Sequence, residues 1–348
     1  MKQLLFGKTL SELQQLVVDL GLPRFTAGQI ADWLYKKQIS SIDEMSNLSK
    51  KNRELLEEKF ETGLTAYTKV QISADGTKKY LFPTIQHKFI ETAMIPERDR
   101  KTVCVSSQVG CKMGCLFCFT AKQGFQGQLT AGEIINQIRS IDEAGEITNI
   151  VYMGMGEPFD NLDEVLKSIE ILTSEWGFAM SPRRITVSTI GIIPGMLTFL
   201  EKSEAHLAVS LHTPFNEERQ KLMHVQVAYP IEEVVREIKS WDFGRQRRVS
   251  FEYILFEGLN DSPAHVRELA RLLDGLKCRI NLIRFHPVPG TPLKSPSEKV
   301  MQEFKDALNN KGILTTVRAS RGQDIYAACG LLSTKGIDAA PRLSVGEL

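Results

Sequence analysis

This sequence has no segment that suits a membrane. No uninterrupted apolar run approaches the ~18 residues of a span, and the stretch from Ile192 to Leu200 is cut by Pro194 and Gly195. The opening MKQLLFGKTLSELQQ lacks the long apolar stretch and small-residue cleavage site of a secretory signal, so a cytoplasmic protein is expected. Charge of one sign is missing too. Lys and Arg total 43 against 42 Asp and Glu, a net +1, which excludes a globally basic nucleic-acid binder but leaves local basic patches open. Cysteine is sparse, six in 348 residues, far from the density of a disulfide-stapled scaffold. Disorder and low complexity are excluded by 42% hydrophobic and 24% charged residues, close to a soluble globular average.

The cysteine that is present is clustered. Cys111, Cys115 and Cys118 fall in one octapeptide, CKMGCLFC, while Cys104, Cys278 and Cys329 lie apart. Gly110 and Gly114 flank them, as a backbone wrapped closely around an ion or cluster requires. Structural zinc takes four ligands, usually as two separated pairs, and no partner C-x2-C or H-x3-H exists here. Ferredoxin clusters also take four cysteines. Three thiolates on a cubane leave one iron open to a small ligand, which implies chemistry rather than electron storage; the bland alternative is three cysteines packed as small hydrophobes.

Residues 1–65 read as a helical accessory domain. Thr9 and Glu12 form a capping box ahead of Leu10, Leu13, Val17 and Leu20. Thr26 and Gln29 open a second helix with Ile30, Trp33 and Leu34, and a third runs from about Ser49 through Phe60. Residues 66–101 read as a β extension or linker, with a hairpin at Asp75-Gly76 and a further strand in HKFIETAMI. From 102 to 335 strands alternate with helices; the strands are 102–107, 149–155, 184–190, 206–212, 249–256 and 280–285. Six β/α units in series predict a parallel sheet in an α/β fold, a partial and open (β/α)6 barrel rather than the closed eight. The glycine-rich and polar elements fall just past the strand ends, where sites form in such barrels. Residues 336–348 read as a tail without periodicity, expected to be disordered.

CxxxCxΦC, with Phe117 before the last cysteine, resembles the radical S-adenosylmethionine (SAM) signature. The resemblance implies a 4Fe–4S cluster on Cys111, Cys115 and Cys118, with SAM on the open iron. GMGEP resembles the superfamily's GGEP-type motif, which makes Gly156 and Glu157 SAM contacts; Ser188, Ser210, Leu211, His212 and His286 at later strand ends complete the cofactor-binding set. Four further stretches carry a narrower resemblance: TVCVSSQVGC, ETAMIPE, TAKQGFQGQLTAGEIINQI and RASRGQDIYAACGLL. Together, over roughly residues 1 to 335, they resemble the RlmN family of RNA adenine carbon-2 methyltransferases.

That family's chemistry accounts for the residue types. Carbon-2 of adenine has no lone pair and cannot take a methyl group by displacement, whereas a thiolate can. The resemblance implies that Cys329 carries a methyl group from one SAM, while a second SAM yields the radical that activates it. Glu91, thirteen residues before Cys104, matches the proton acceptor. Cys104 matches the thiol that releases the product through a transient disulfide with Cys329. Cys278 is read as structural. In the family Asn often precedes the Pro-x-Pro-Gly of strand six; here His286 stands there, able to donate or accept. The implied partners are 23S rRNA, tRNA and an electron donor such as flavodoxin or ferredoxin, with the protein a monomer. RNA contact is looked for at Arg98, Arg100 and Lys101, at Arg245, Arg247 and Arg248, and at Arg318 and Arg321. Two alternatives stand beside this reading: a carbon-8 adenosine methyltransferase of the Cfr type, and a non-enzymatic iron–sulfur or zinc protein that binds RNA or carries electrons.

Overall fold

A computed structural model describes residues 2–244, 249–288 and 290–334. The expectations for Arg245, Arg247 and Arg248, for Pro289 of the PVPG stretch and for the tail 336–348 lie outside the described residues.

In the N-terminal unit, helix α1 (Leu10–Asp19) starts at the expected capping box, with both reciprocal bonds formed at Thr9 and Glu12. Helix α2 (Thr26–Ala31) departs from expectation. Thr26 lies inside it, and the cap is Phe25, with no side-chain bond. The chain is already coiled one turn earlier, because the Thr26 N–H donates to Pro23 O at 2.9 Å. Trp33 and Leu34 follow in a π-helical turn, Asp32–Lys36. Helix α3 (Lys50–Lys59) is capped by Ser49 as read. Leu13, Val17, Ile30, Leu34 and Leu56 form one core, which also takes in Ile135 and Ile171 of the main domain.

The 66–101 stretch adds strands to the main sheet. Strands β1 (Lys69–Ile72), β2 (Lys78–Pro83) and β3 (Phe89–Pro96) are antiparallel, and β3 pairs antiparallel with β4 (Lys101–Cys104). The parallel strands continue as β5 (Asn149–Tyr152), β6 (Ile185–Thr189), β7 (His206–Ser210), β8 (Val249–Leu255) and β9 (Cys278–Arg284). All six expected strands are present, each ending one to three residues earlier than read. A further parallel strand was not foreseen: β10 (Leu314–Val317) pairs with β9 from Arg279↔Leu314 to Leu282↔Val317. The result is one ten-stranded sheet in chain order, with β10 and β1 at its edges. Helices α4 (Phe119–Gln123), α5 (Ala131–Arg139), α6 (Leu162–Thr173), α7 (Ile193–Lys202), α8 (Asn216–Leu222), α9 (Ile231–Ser240), α10 (Pro263–Leu272) and α11 (Glu298–Asn310) fill the connections. Capping boxes and caps set several of them, as at Thr130 with Glu133 and at Ser297.

After β10 the chain becomes an arm, residues 318–334, that returns toward the other sheet edge. Asp324 accepts from Ser73 Oγ at 2.5 Å and Ala74 N at 3.1 Å, and Asp75 accepts from Gly322 N at 2.9 Å. The Asp75-Gly76 turn thus fastens the arm that carries Cys329.

Candidate active site

The cluster loop leaves β4 and ends at α4, with Cys118 as the residue preceding that helix. Gly110 is held at φ +74°, and a Cβ there would collide with Gly124 O. Phe117 of the motif stands edge-on to His212 at 4.7 Å between ring centroids. Burial pushes the Cys111 thiol up to about 12 and Cys115 well above the ordinary value; Cys118 is raised as well, and the charges of the three bear on one another. Bare, these thiols stay protonated; iron takes the place of those protons. Among the described residues no three His, Cys, Asp or Glu converge on a single-ion site. A cubane binds each cysteine on its own iron, so its ligands need not point at one atom. The donor set, its burial and its close-wrapped backbone fit a 4Fe–4S cluster.

The strand-end elements form a linked rim. Gly156 has φ +101°, and a Cβ there would lie 2.6 Å from Gln108 Cβ. Glu157 donates its N–H to Gln108 Oε1 at 2.9 Å. Its carboxylate is buried and accepts from Thr189 Oγ1 at 2.6 Å, Ile190 N at 3.0 Å and Phe159 N at 3.2 Å. Burial lifts this carboxyl to about 7 in spite of those bonds. Ser188 and Ser210 are half-buried near the ends of β6 and β7. Leu211 is in the core, and only its backbone is engaged, N–H to Glu252 O. His212 is committed to the scaffold, at φ +58°, its Nδ1 accepting from Ile254 N at 2.9 Å and its carbonyl from Asn260 Nδ2 at 2.6 Å. Desolvation drops its imidazole to about 3, so it is neutral. His286 shares a 3.1 Å bond with Ser320 Oγ on the arm.

A residue that the sequence did not single out ties this rim together. Arg219 of α8 is fully buried and donates to Ile190 O at 2.8 Å, Ser210 O at 3.0 Å, Leu211 O at 3.2 Å and Gln226 Oε1 at 2.6 Å. Its charge also bears on Cys115.

The arm seats Cys329 beside α4. Gly330 O accepts from Phe119 N at 2.8 Å, and Leu332 O from Thr120 Oγ1 at 2.6 Å. Cys329 is an exposed residue, but burial of its sulfur raises the thiol, which bears electrostatically on both Cys118 and Cys104. All six cysteines are free. Cys104 is 7% exposed, packed with Ala93, Ile325 and Ala327.

Glu91, read as the proton acceptor, faces inward in β3. It is 2% exposed, takes the Ser333 N–H at 2.9 Å from the arm, and pairs with Lys79 at 3.0 Å. Lys79, itself buried, was missed. The signal was the β2–β3 register: Leu81 faces Glu91 and Lys79 faces Ala93, which makes Lys79 and Glu91 diagonal neighbours. Burial raises the Glu91 carboxyl, and the Lys79 ammonium pulls against it. Removing the ammonium lets the carboxyl rise further. A carboxyl raised by folding adds stability below its unfolded value, near the ordinary 4.5, and loses it as pH climbs through the folded value. Lys79→Met is therefore expected to cost about 3–5 kcal/mol near pH 8 and less near pH 5. Urea midpoints at the two pH values check it; an equal loss at both would contradict it.

Several of the basic residues read as candidate RNA contacts are paired within the protein. Arg98, Arg100 and Lys101 lie at the N-terminal end of β4, whereas the cysteines follow its C-terminal end; Arg100 pairs with Glu97 and Lys101 with Glu146. Arg318 turns inward, 3.5 Å from Glu252 and 3.2 Å from Met153 Sδ.

The family comparisons agree with this geometry. Residues 105–273 match the model of the Radical SAM superfamily, and residues 4–62 that of the ribosomal RNA large subunit methyltransferase N-terminal domain. The chain is 54% identical over 333 residues to a probable dual-specificity RNA methyltransferase RlmN of Phocaeicola vulgatus, covering 96% of this chain and 95% of that protein. It is 44% identical over 346 residues to the dual-specificity RNA methyltransferase RlmN of Nitratiruptor sp., covering 94% and 96%. Among solved structures, a radical SAM methyltransferase from Sphaerobacter thermophilus superposes with a TM-score of 0.89 at 41% identity, covering 95% of this chain and 99% of that one. With the three-cysteine loop, the strand-end rim and near-full-length similarity in agreement, the chain belongs to the RlmN family, whose members are SAM-dependent radical enzymes built around a 4Fe–4S cluster.

Proposed function

We propose that this protein methylates carbon-2 of adenosine in 23S rRNA and tRNA, in the cytoplasm, through a methyl group carried on Cys329. When bound, a 4Fe–4S cluster on Cys111, Cys115 and Cys118, reduced by a flavodoxin- or ferredoxin-type donor, supplies with SAM a 5′-deoxyadenosyl radical. SAM contacts are assigned to Gly156, Glu157, Ser188, the 210–212 turn and His286. In turnover Cys329 accepts one methyl group, loses a hydrogen atom from it to the radical, and bonds through the resulting methylene to the adenine carbon. Glu91 takes the ring proton, and the adduct's unpaired electron leaves to the redox couple that supplied the first electron, which gives a closed-shell thioether. Cys104 then attacks the Cys329 sulfur and frees the product.

The observation that carries the reading is the seat of the arm. Cys329 is an exposed residue whose sulfur is turned inward, so that burial raises its thiol; its charge bears on Cys118 and on Cys104, and its arm is bonded to Glu91 through Ser333. The flipped adenine has to reach this recess, at a cost of a few kcal/mol.

The test is a peptide mass spectrum of iron-replete protein supplied with SAM. One added methyl group on the Cys329 peptide is expected. An unmodified Cys329 in protein that holds its cluster would sink the carrier role. Nucleoside mass spectrometry of the RNA product then distinguishes carbon-2 from carbon-8.

A further inference from the structure

The structure places one cation against the two thiols that the proposed cycle joins. Arg318 follows β10, and its side chain is one-third exposed. Its guanidinium points inward, with Nη1 3.2 Å from Met153 Sδ and 3.5 Å from Glu252 Oε2. Glu252 is buried and fixed in turn, its Oε1 accepting from Asn281 Nδ2 at 2.8 Å and Ser250 Oγ at 3.2 Å. Its Oε2 is buried and receives no hydrogen bond, and among the described residues Arg318 is the one cation paired with it. The Met153 backbone N–H reaches the Cys104 sulfur, and the Arg318 side chain reaches that of Cys329. A buried carboxylate thus braces a guanidinium that lies on Met153, which packs against Cys104; the guanidinium bonds the Cys329 sulfur, and its charge reaches the Cys104 sulfur.

We infer that Arg318, braced by Glu252, is a positioning residue that stabilises the Cys104 thiolate for its attack on Cys329. The inference rests on the reading of Cys104 as the resolving thiol. In that step the Cys104 thiolate forms a bond to the Cys329 sulfur. The bond from that sulfur to the RNA-bound methylene breaks, with its electron pair left on carbon. The carbon takes a proton and becomes the methyl group. The two sulfurs give up two electrons and the carbon gains them; a thiol reductant returns the disulfide to two thiols before the next cycle. The attack needs negative charge on a sulfur that is almost wholly out of water. Burial pushes the Cys104 thiol up to about 12, and Arg318 is the one cation acting against that; the other titratable group facing it, Cys329, raises it further. Glu252 and Glu97 are the carboxylates that bear on Arg318 itself.

Two neutral replacements, Arg318→Met and Arg318→Gln, and the charge-restoring Arg318→Lys are compared in cluster-loaded protein; two are used so that a failure of one to fold leaves the other. In a Cys329→Ala background, modification of Cys104 by methyl methanethiosulfonate at pH 9 is expected to slow about tenfold in the neutral variants, the effect of a thiol raised by about one pH unit. Lys is expected to restore part of the rate. A merely structural loosening would speed modification instead. An unchanged or faster rate in the folded neutral variants overturns the inference. With Cys329 present, decay of the protein–RNA adduct in a single turnover is followed in Arg318→Met and in Cys104→Ala. Stalling in both supports the inference. Stalling in Cys104→Ala alone overturns the role of Arg318 and spares the resolving thiol. Normal decay in Cys104→Ala overturns both.

Discussion

Cys104→Ala is expected to leave the protein covalently joined to its RNA. Cys104 ends β4 beside the arm, and Cys329 is the only other cysteine whose charge bears on it. If Cys329 is bonded to the adenine carbon, release requires a second sulfur, and no other cysteine is placed to supply one. Cys111, Cys115 and Cys118 are the residues assigned to iron, and Cys278 begins β9 against the helical layer of the core. Multiple turnover is expected to fall by on the order of 10³ or more, the scale seen when a covalent cycle loses its nucleophile. The first methylene transfer should survive. The loss is therefore expected as a stoichiometric protein–RNA band on a denaturing gel rather than as absent chemistry. Folding is expected to hold, because the substitution removes one sulfur from a small cluster with Ala93, Ile325 and Ala327, a cavity worth on the order of 1 kcal/mol. Free methylated RNA at the parent rate would refute the resolving role.

The parts of this molecule that were legible in the sequence are those where one local rule decides. Alternation of apolar strands with amphipathic helices located β4 to β9, and the spacing of three cysteines marked the candidate cluster loop. Where several rules compete, reading was harder. Strand β10 is four residues, LTTV, of which only Thr315 is buried, so neither length nor hydrophobicity marks it. Strands β2 and β3 are covered on both faces, so their alternation carries no sign of which carboxylate is inside; only the pairing register links Lys79 to Glu91. The position of Cys329 depends on an arm held by Asp75 and Asp324, contacts that span about 250 residues of chain. No periodicity encodes such contacts, and the reading of that residue rested on family resemblance alone. Arg318 shows the same limit: its sequence position marks an arginine near a reactive centre, but its pairing with a buried carboxylate on β8 depends on tertiary structure.

Arg219→Met is expected to be among the most destabilising single changes in the protein. The residue sits in NEERQKL, a stretch whose charges read as a solvated helix face, yet its side chain is wholly buried. The guanidinium is not paired with a carboxylate at hydrogen-bond distance; its four bonds go to three backbone carbonyls and one amide oxygen. Methionine fills much of the volume but donates nothing. Three carbonyls, at the end of β7 and in the turns after β6 and β7, then lose a donor, at about 1–3 kcal/mol for each buried one that finds no other. Partial relaxation and the regained cost of burying a charge reduce the sum, which gives an expected loss of about 3–5 kcal/mol. The effect should also reach the rim. Ile190, whose carbonyl Arg219 holds, donates its own N–H to Glu157, so loosening that turn loosens the carboxylate assigned to SAM. Arg219→Lys keeps a charge but cannot reach four acceptors from one ammonium, and should recover only part of the stability. Urea midpoints of the three proteins, with and without SAM, measure both consequences. The SAM-induced shift should shrink along with the stability of the unliganded protein. If Arg219→Met stays within about 1 kcal/mol of the parent, the buried guanidinium does not hold the rim together, since even one stranded carbonyl would cost that much.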